Sequence, residues 1–231
     1  MVNKNFNLLL LVIIMLIFLT VVLLSVGYTI ALFQKSSGND RWLKGKSLPT
    51  PRTEVMAVSL DDLVYVIGGF TNEGRITNTV EVYNTTNNFW YTALIPLPIP
   101  LHHASASTHD GRIYVVGGHK GDWNPSNRLF IYDPKIDNWT TEPSMPTARG
   151  STVSYFVGDI LFVIGGDMYD HSFFSVEAFD TFNGTWTSLS PMPTTRHGLG
   201  VVNVDNTIYV IVGGLHPGLI VTGRNEVYLV D

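Results

Sequence analysis

Six histidines fall where a chain could assemble proton-transfer or metal chemistry: His102, His103, His119, His171, His197 and His216. Each lies close to a Gly-Gly pair or a proline-bearing turn, and only the seventh, His109, does not. Carboxylates sit near two of them: Asp122 follows His119, and Asp167 and Asp170 precede His171. Imidazole and carboxylate together do general acid–base work near neutral pH. No short spacing assembles such a set, so no catalytic residue is assigned from the sequence. Adjacent His102 and His103 would point to opposite sides of a strand, and no other histidine pair has tight ligand spacing. No metal centre and no cofactor are therefore expected. Asp167 and Asp170 lack the further oxygen ligands of a calcium loop. The chain has no cysteine, which removes thiolate zinc sites, cysteine nucleophiles, disulfides and iron–sulfur clusters. Trp123 stands in the polar stretch His119-Lys-Gly-Asp-Trp-Asn-Pro125, where an aromatic fits sugar stacking or the anchoring of a partner. The ligand-binding candidates are Trp123, His119, Asp122, His102, His197, Asp167, Asp170, His171 and His216.

Composition narrows the function classes. Hydrophobic residues make up 45% of the 231 residues and charged residues 14%, against about 25% charged in an ordinary soluble domain. The deficit points to a membrane segment, a sheet-rich body, or both. A net charge of −5 without a basic block argues against nucleic acid as a partner.

The elements that must position these residues form a repeat. Gly-Gly pairs occur at Gly68-Gly69, Gly117-Gly118, Gly165-Gly166 and Gly213-Gly214, spaced by 49, 48 and 48 residues. Each follows a β-branched, aromatic-rich run such as Leu63-Val-Tyr-Val-Ile67 or Ile160-Leu-Phe-Val-Ile164. An aromatic comes 13 or 14 residues later (Tyr83, Tyr132, Phe179, Tyr228), and tryptophans recur at Trp42, Trp90, Trp139 and Trp186. After each Trp comes a proline turn. A period near 50 with this internal order indicates a propeller array of four strands per unit and no helix.

This order (Pro-x-x-Arg, strand with Gly-Gly, Tyr, Trp) covers residues 40–231 and resembles the kelch repeat. The resemblance implies an all-β propeller of about four kelch blades, each of four antiparallel strands. Trp42 holds the position of a fourth strand before any other strand of its unit, and the last unit has no Trp strand. The N-terminal strand is thus expected to complete the last blade and close the ring. Kelch propellers serve as interaction scaffolds, sugar-binding modules and a few enzymes, so the resemblance leaves function open.

Several repeat residues have structural readings. The glycines let the backbone turn and pack closely, and the tryptophans are expected to pack between blades. Arg52, Arg149 and Arg196 follow the proline turns, and Glu81, Glu177 and Glu226 follow 28–30 residues later in the same repeats. In the second repeat Leu101 replaces the Arg and Phe130 the Glu. Joint loss of both charges is what a buried ion pair predicts, because one charge left alone is costly.

The N-terminus differs in kind. From Leu8 to Leu24 only Thr20 is polar, and about 20 apolar residues span a bilayer as a helix. Residues 1–35 read as a transmembrane signal-anchor, with a cleaved signal peptide as the rival, and residues 36–231 as the propeller. Lysines flank the run on both sides, so charge leaves orientation open. Sequons at Asn84, Asn138 and Asn183 permit an exterior location. The reading is a single-pass, membrane-anchored propeller outside the cytoplasm, whose top-face loops bind a protein or glycan, with no catalysis. The alternative is a sugar-active enzyme resembling kelch-type sialic-acid mutarotases.

Overall fold

The computed structural model describes residues 42–92, 94–218 and 220–230. The expected anchor, residues 1–35, lies outside them; among the described residues no helix is long and apolar enough to cross a membrane. The propeller lies in the unit Lys46–Asp231.

Four antiparallel sheets follow in order, with strands a to d numbered from the inside of each blade. Blade 1 consists of Met56–Leu60, Leu63–Ile67, Val80–Asn84 and Phe89–Tyr91. Blade 2 consists of Ser105–His109, Arg112–Val116, Leu129–Asp133 and Asn138–Glu142. Blade 3 consists of Val153–Val157, Ile160–Ile164, Val176–Asp180 and Thr185–Ser188. Blade 4 has three strands, Gly200–Val204, Thr207–Ile211 and Asn225–Leu229. Strands a and b join through two-residue turns, in which Asp61, Asp110, Gly158 and Asp205 have positive φ, the backbone that two-residue hairpins require. The b strands of blades 2 and 3 are apolar on both faces because a neighbouring blade covers each face.

The core lies in the seams between blades. Met56, Tyr65, Ile67, Val80 and Val82 of blade 1 meet Leu101, Ile113, Val115 and Phe130 of blade 2. Tyr114, Val116 and Leu129 meet Leu161, Val163 and Phe179 across the next seam. Phe162, Ile164 and Val176 meet Leu199, Ile208 and Val210 across the third. Trp90, Trp139 and Trp186 stack on Tyr83, Tyr132 and Phe179, with ring centroids 5.1, 4.9 and 5.2 Å apart. Their Nε1–H groups donate to the carbonyls of Lys46, Ile95 and Pro143, which tie each outer strand to the segment that leaves the preceding unit.

Ring closure departs from the sequence reading. Trp42 lies in no strand and its side chain is fully exposed, and the last sheet ends at its third strand. No fourth seam covers blade 4 among the described residues: Val202, Val204, Val227 and Leu229, on the face that would meet a further blade, are exposed. The last glycine pair also shifts by one. Gly68-Gly69, Gly117-Gly118 and Gly165-Gly166 all have positive φ, but the equivalent pair in blade 4 is Val212-Gly213, at φ 55° and 106°. In blades 1 to 3 the first position faces a carbonyl of the next blade and has no room for a side chain. Among the described residues no blade faces Val212, which is half-exposed. Gly214 serves a different need: the His197 ring occupies the place of its missing Cβ.

Each Arg–Glu pair is a buried ion pair that fastens a leading turn to its own blade. The separations are 3.0 Å for Arg52–Glu81, 2.6 Å for Arg149–Glu177 and 2.6 Å for Arg196–Glu226. The three guanidinium groups also donate to strand-b carbonyls, those of Val66, Val163 and Val210. Burial pulls Arg149 below its ordinary pKa, and Glu177 opposes that shift. A third member was not foreseen: Thr50, Thr147 and Thr194 donate from Oγ1 to the same glutamates at 3.0, 2.6 and 2.7 Å. Blade 2 replaces the whole triad with Ile99, Leu101 and Phe130, which join the first seam's core. Arg149→Leu alone should cost about 3–5 kcal/mol in urea denaturation, because Glu177 is left buried and unpaired. The triple variant Thr147→Ile, Arg149→Leu, Glu177→Phe copies blade 2 and should recover most of that loss. A triple variant no more stable than the single would show that the triad is not a self-contained structural unit.

Candidate functional site around the propeller axis

The turn that leads into each blade ends on one residue with left-handed backbone: Glu54 (φ 52°), His103 (51°), Ser151 (48°) and Gly198 (54°). These residues are hydrogen-bonded in sequence around the axis. His103 N–H donates to Glu54 O at 3.4 Å, Ser151 N–H to His103 O at 2.8 Å, and Gly198 N–H to Ser151 O at 2.9 Å. All four line one cavity of about 670 Å³, together with His119, Trp123, Asp167, Tyr169 and His197.

One residue earlier, each turn forms a short bridge to the residue after the left-handed pair: Thr53 with Phe70, His102 with His119, Gly150 with Asp167, and His197 with Gly214. This places His119 of blade 2 directly over Gly150 of blade 3, where its ring fills the space a Cβ would take. From there His119 Nε2 reaches Asp167 Oδ1 at 3.0 Å, while Nδ1 lies 3.1 Å from the Trp123 carbonyl. Both partners are acceptors. The imidazole is thus held at both ring nitrogens, by the carbonyl at Nδ1 and by the carboxyl group at Nε2. His197 approaches Asp167 Oδ2 from blade 4 at 3.9 Å, and its Nδ1 is 3.0 Å from Ser172 Oγ. Asp167 thus stands between histidines of two other blades.

A second set lies beside it. His103 Nε2 is 3.2 Å from Glu54 Oε2, and His103 Nδ1 is 2.7 Å from His102 Nδ1. The two adjacent histidines therefore converge, contrary to the expectation that they face apart: the left-handed φ of His103 breaks the alternation of an extended strand. Burial, with His103 and His119 adding to it, pushes His102 down to about 4. Burial also lowers His103, against the pull of Glu54. The His102 ring is buried on Phe70, centroids 4.1 Å apart. Trp123 is half-exposed and lies 4.9, 5.3 and 5.4 Å from the rings of His102, His103 and His119. It separates the axial cavity from a second groove of about 710 Å³ that includes His102, Asp122 and Phe70.

Of the residues singled out in the sequence, the axial cavity gathers Trp123, His119, Asp167 and His197, and the second groove takes Asp122 and His102. Asp170 and His171 pair with each other at 2.7 Å on the exposed loop of blade 3, and His216 is exposed on blade 4; none of the three lines either space. Among the described residues no set of three or more His, Asp or Glu side chains is arranged to hold a metal ion. Glu54, Ser151 and Tyr169 were not foreseen, and His103, counted among the six histidines, was not carried into the ligand-binding candidates. The overlooked signal is the period itself: Glu54 and His103 are 49 residues apart, and His119 and Asp167 are 48 apart.

A family model described as the KLHDC2/KLHL20/DRC7 Kelch-repeats domain matches residues 35–214. The Kelch-like protein terF of Aspergillus terreus is 32% identical over 189 residues, which cover 79% of this chain and 30% of that protein. Kelch-like protein 35 of Mus musculus is 26% identical over 178 residues, 77% of this chain and 30% of that protein. The chain therefore spans about a third of these relatives. Among solved structures, one titled "Structure of YjhT" aligns with a TM-score of 0.69 at 20% identity and covers 77% of this chain and 64% of that one, a likeness of fold.

The depressed His102 value sets a pH dependence. Below about 6.5 the unfolded chain takes up a proton that the folded chain refuses until about pH 4, so this contribution is full above 6.5 and is lost as pH falls toward 4. His102→Gln should therefore lose less stability than the wild type between pH 7 and pH 4.5, by roughly 1–3 kcal/mol in urea denaturation. Equal losses would show that His102 protonates as readily in the folded state as in the unfolded one.

Proposed function

Because the chain belongs to the kelch-repeat family, we propose that its propeller is a binding module whose axial cavity holds a protein or glycan partner. One observation carries this reading: every blade contributes the same turn position to one cavity, beside a half-exposed tryptophan. Binding residues gather where loops converge on a rigid scaffold, and a Trp with one free face is a common anchor. The apolar run of residues 8–24 supports a single-pass membrane anchor, and the sequons at Asn84, Asn138 and Asn183 are compatible with a propeller outside the cytoplasm.

A second reading is favoured by the two imidazole–carboxylate sets on the cavity wall, His119 with Asp167 and His103 with Glu54. Such pairs could move protons at a sugar ring, as in a sugar-active enzyme like the sialic-acid mutarotases. NMR-monitored anomerisation at the buffer rate across common sugars would remove this reading.

The binding reading is tested by panning a displayed peptide library and a glycan array with the propeller. Ligands recovered should lose at least roughly tenfold in affinity on Trp123→Ala. They should be unaffected by Phe182→Ala, a fully exposed residue in the c–d turn of blade 3. Ligands indifferent to Trp123 would place binding elsewhere on the molecule.

A further inference from the structure

The four axial positions share one backbone conformation and differ in side chain. Gly198 meets the requirement of φ near +54° with no Cβ to strain, and a Cβ there would meet nothing within 4 Å. Glu54, His103 and Ser151 adopt the same conformation at a cost that glycine avoids. The blade fold therefore gives no reason for a glutamate at position 54, and the reason lies in the cavity. Its carboxylate is about half exposed there. It is held by His103, which burial keeps from taking a compensating charge near neutral pH. The other carboxylate of the cavity, Asp167, is hydrogen-bonded to His119 at 3.0 Å. Among the described lining residues there is no lysine or arginine. Trp123 and Tyr169, 46% and 84% exposed, offer aromatic faces to the same space.

A carboxylate without a cation beside exposed aromatic faces is complementary to a cation. Building on the binding reading above, we propose that the axial cavity receives a lysine or arginine side chain of a protein partner, with Glu54 as the counter-charge and Trp123 as the stacking face. An anionic ligand, including an acidic sugar, meets the Glu54 carboxylate there and no lysine or arginine.

The test uses acetyl-Gly-Arg-Gly-amide, acetyl-Gly-Lys-Gly-amide and acetyl-Gly-Glu-Gly-amide, titrated against the propeller by saturation-transfer NMR. The basic peptides should bind at least roughly tenfold better than the acidic one, and Glu54→Gln should abolish that preference. Glu54→Gly should abolish it as well while leaving the melting temperature unchanged or raised, since glycine relieves the left-handed strain. Equal or stronger binding of the acidic peptide, or a basic preference that survives Glu54→Gln, would overturn the proposal. So would methyl glycosides binding in a Trp123-dependent way while the basic peptides do not. Trp123-dependent ligands without basic preference would sink this inference alone; ligands independent of Trp123 would sink the cavity reading with it.

Discussion

Each seam of this propeller is set by one close approach between backbones. A carbonyl within the leading turn of one blade accepts a hydrogen bond from the second glycine of the preceding blade. These bonds are Gly69 to Leu101 at 2.8 Å, Gly118 to Arg149 at 3.0 Å and Gly166 to Arg196 at 2.8 Å. The first glycine lies under the same carbonyl: a Cβ on Gly117 would stand 2.7 Å from Arg149 O, and one on Gly165 2.5 Å from Arg196 O. Side chains do not tolerate such contacts, so the paired glycines are a steric requirement of the seam. The apolar clusters, the stacked tryptophans and the Arg–Glu–Thr triads all pack in the register that this contact imposes.

The same register builds the site. Once each leading turn is fixed against the preceding blade, equivalent residues of successive blades come together around the axis. A contact between residues one period apart then becomes a local contact in space, as for His119 with Asp167 and His103 with Glu54. Specificity can change by single substitutions at these positions without disturbing the seams. Blade 2 shows the converse freedom: its triad became Ile99, Leu101 and Phe130 while the axial position still carries a histidine.

Much of the fold was legible because its determinants recur. Glycine pairs, strand runs, aromatics and tryptophans repeat at 48–49 residues, and the simultaneous loss of Arg and Glu in the second repeat pointed to their pairing. The site was less legible for a physical reason. Imidazole–carboxylate sets were sought at short spacing, whereas a propeller brings together residues a whole blade apart. His102 and His103 were misplaced because strand alternation was assumed at a residue with φ of 51°. The last glycine pair was misaligned because Gly214 makes room for the His197 ring, a tertiary need that resembles the repeat signal in sequence. Trp42 matched the tryptophan period, yet a period specifies a strand only where a neighbouring strand receives it.

If repeat register builds the axial site, His119 and Asp167 must be energetically coupled although 48 residues separate them. A double-mutant cycle measures this: the unfolding free energies of the wild type, His119→Ala, Asp167→Ala and the double variant, taken in urea at pH 7. A coupling of at least about 1 kcal/mol is the predicted result for a buried hydrogen bond. Additivity within about 0.3–0.5 kcal/mol would contradict it and show that the two side chains do not meet at the axis.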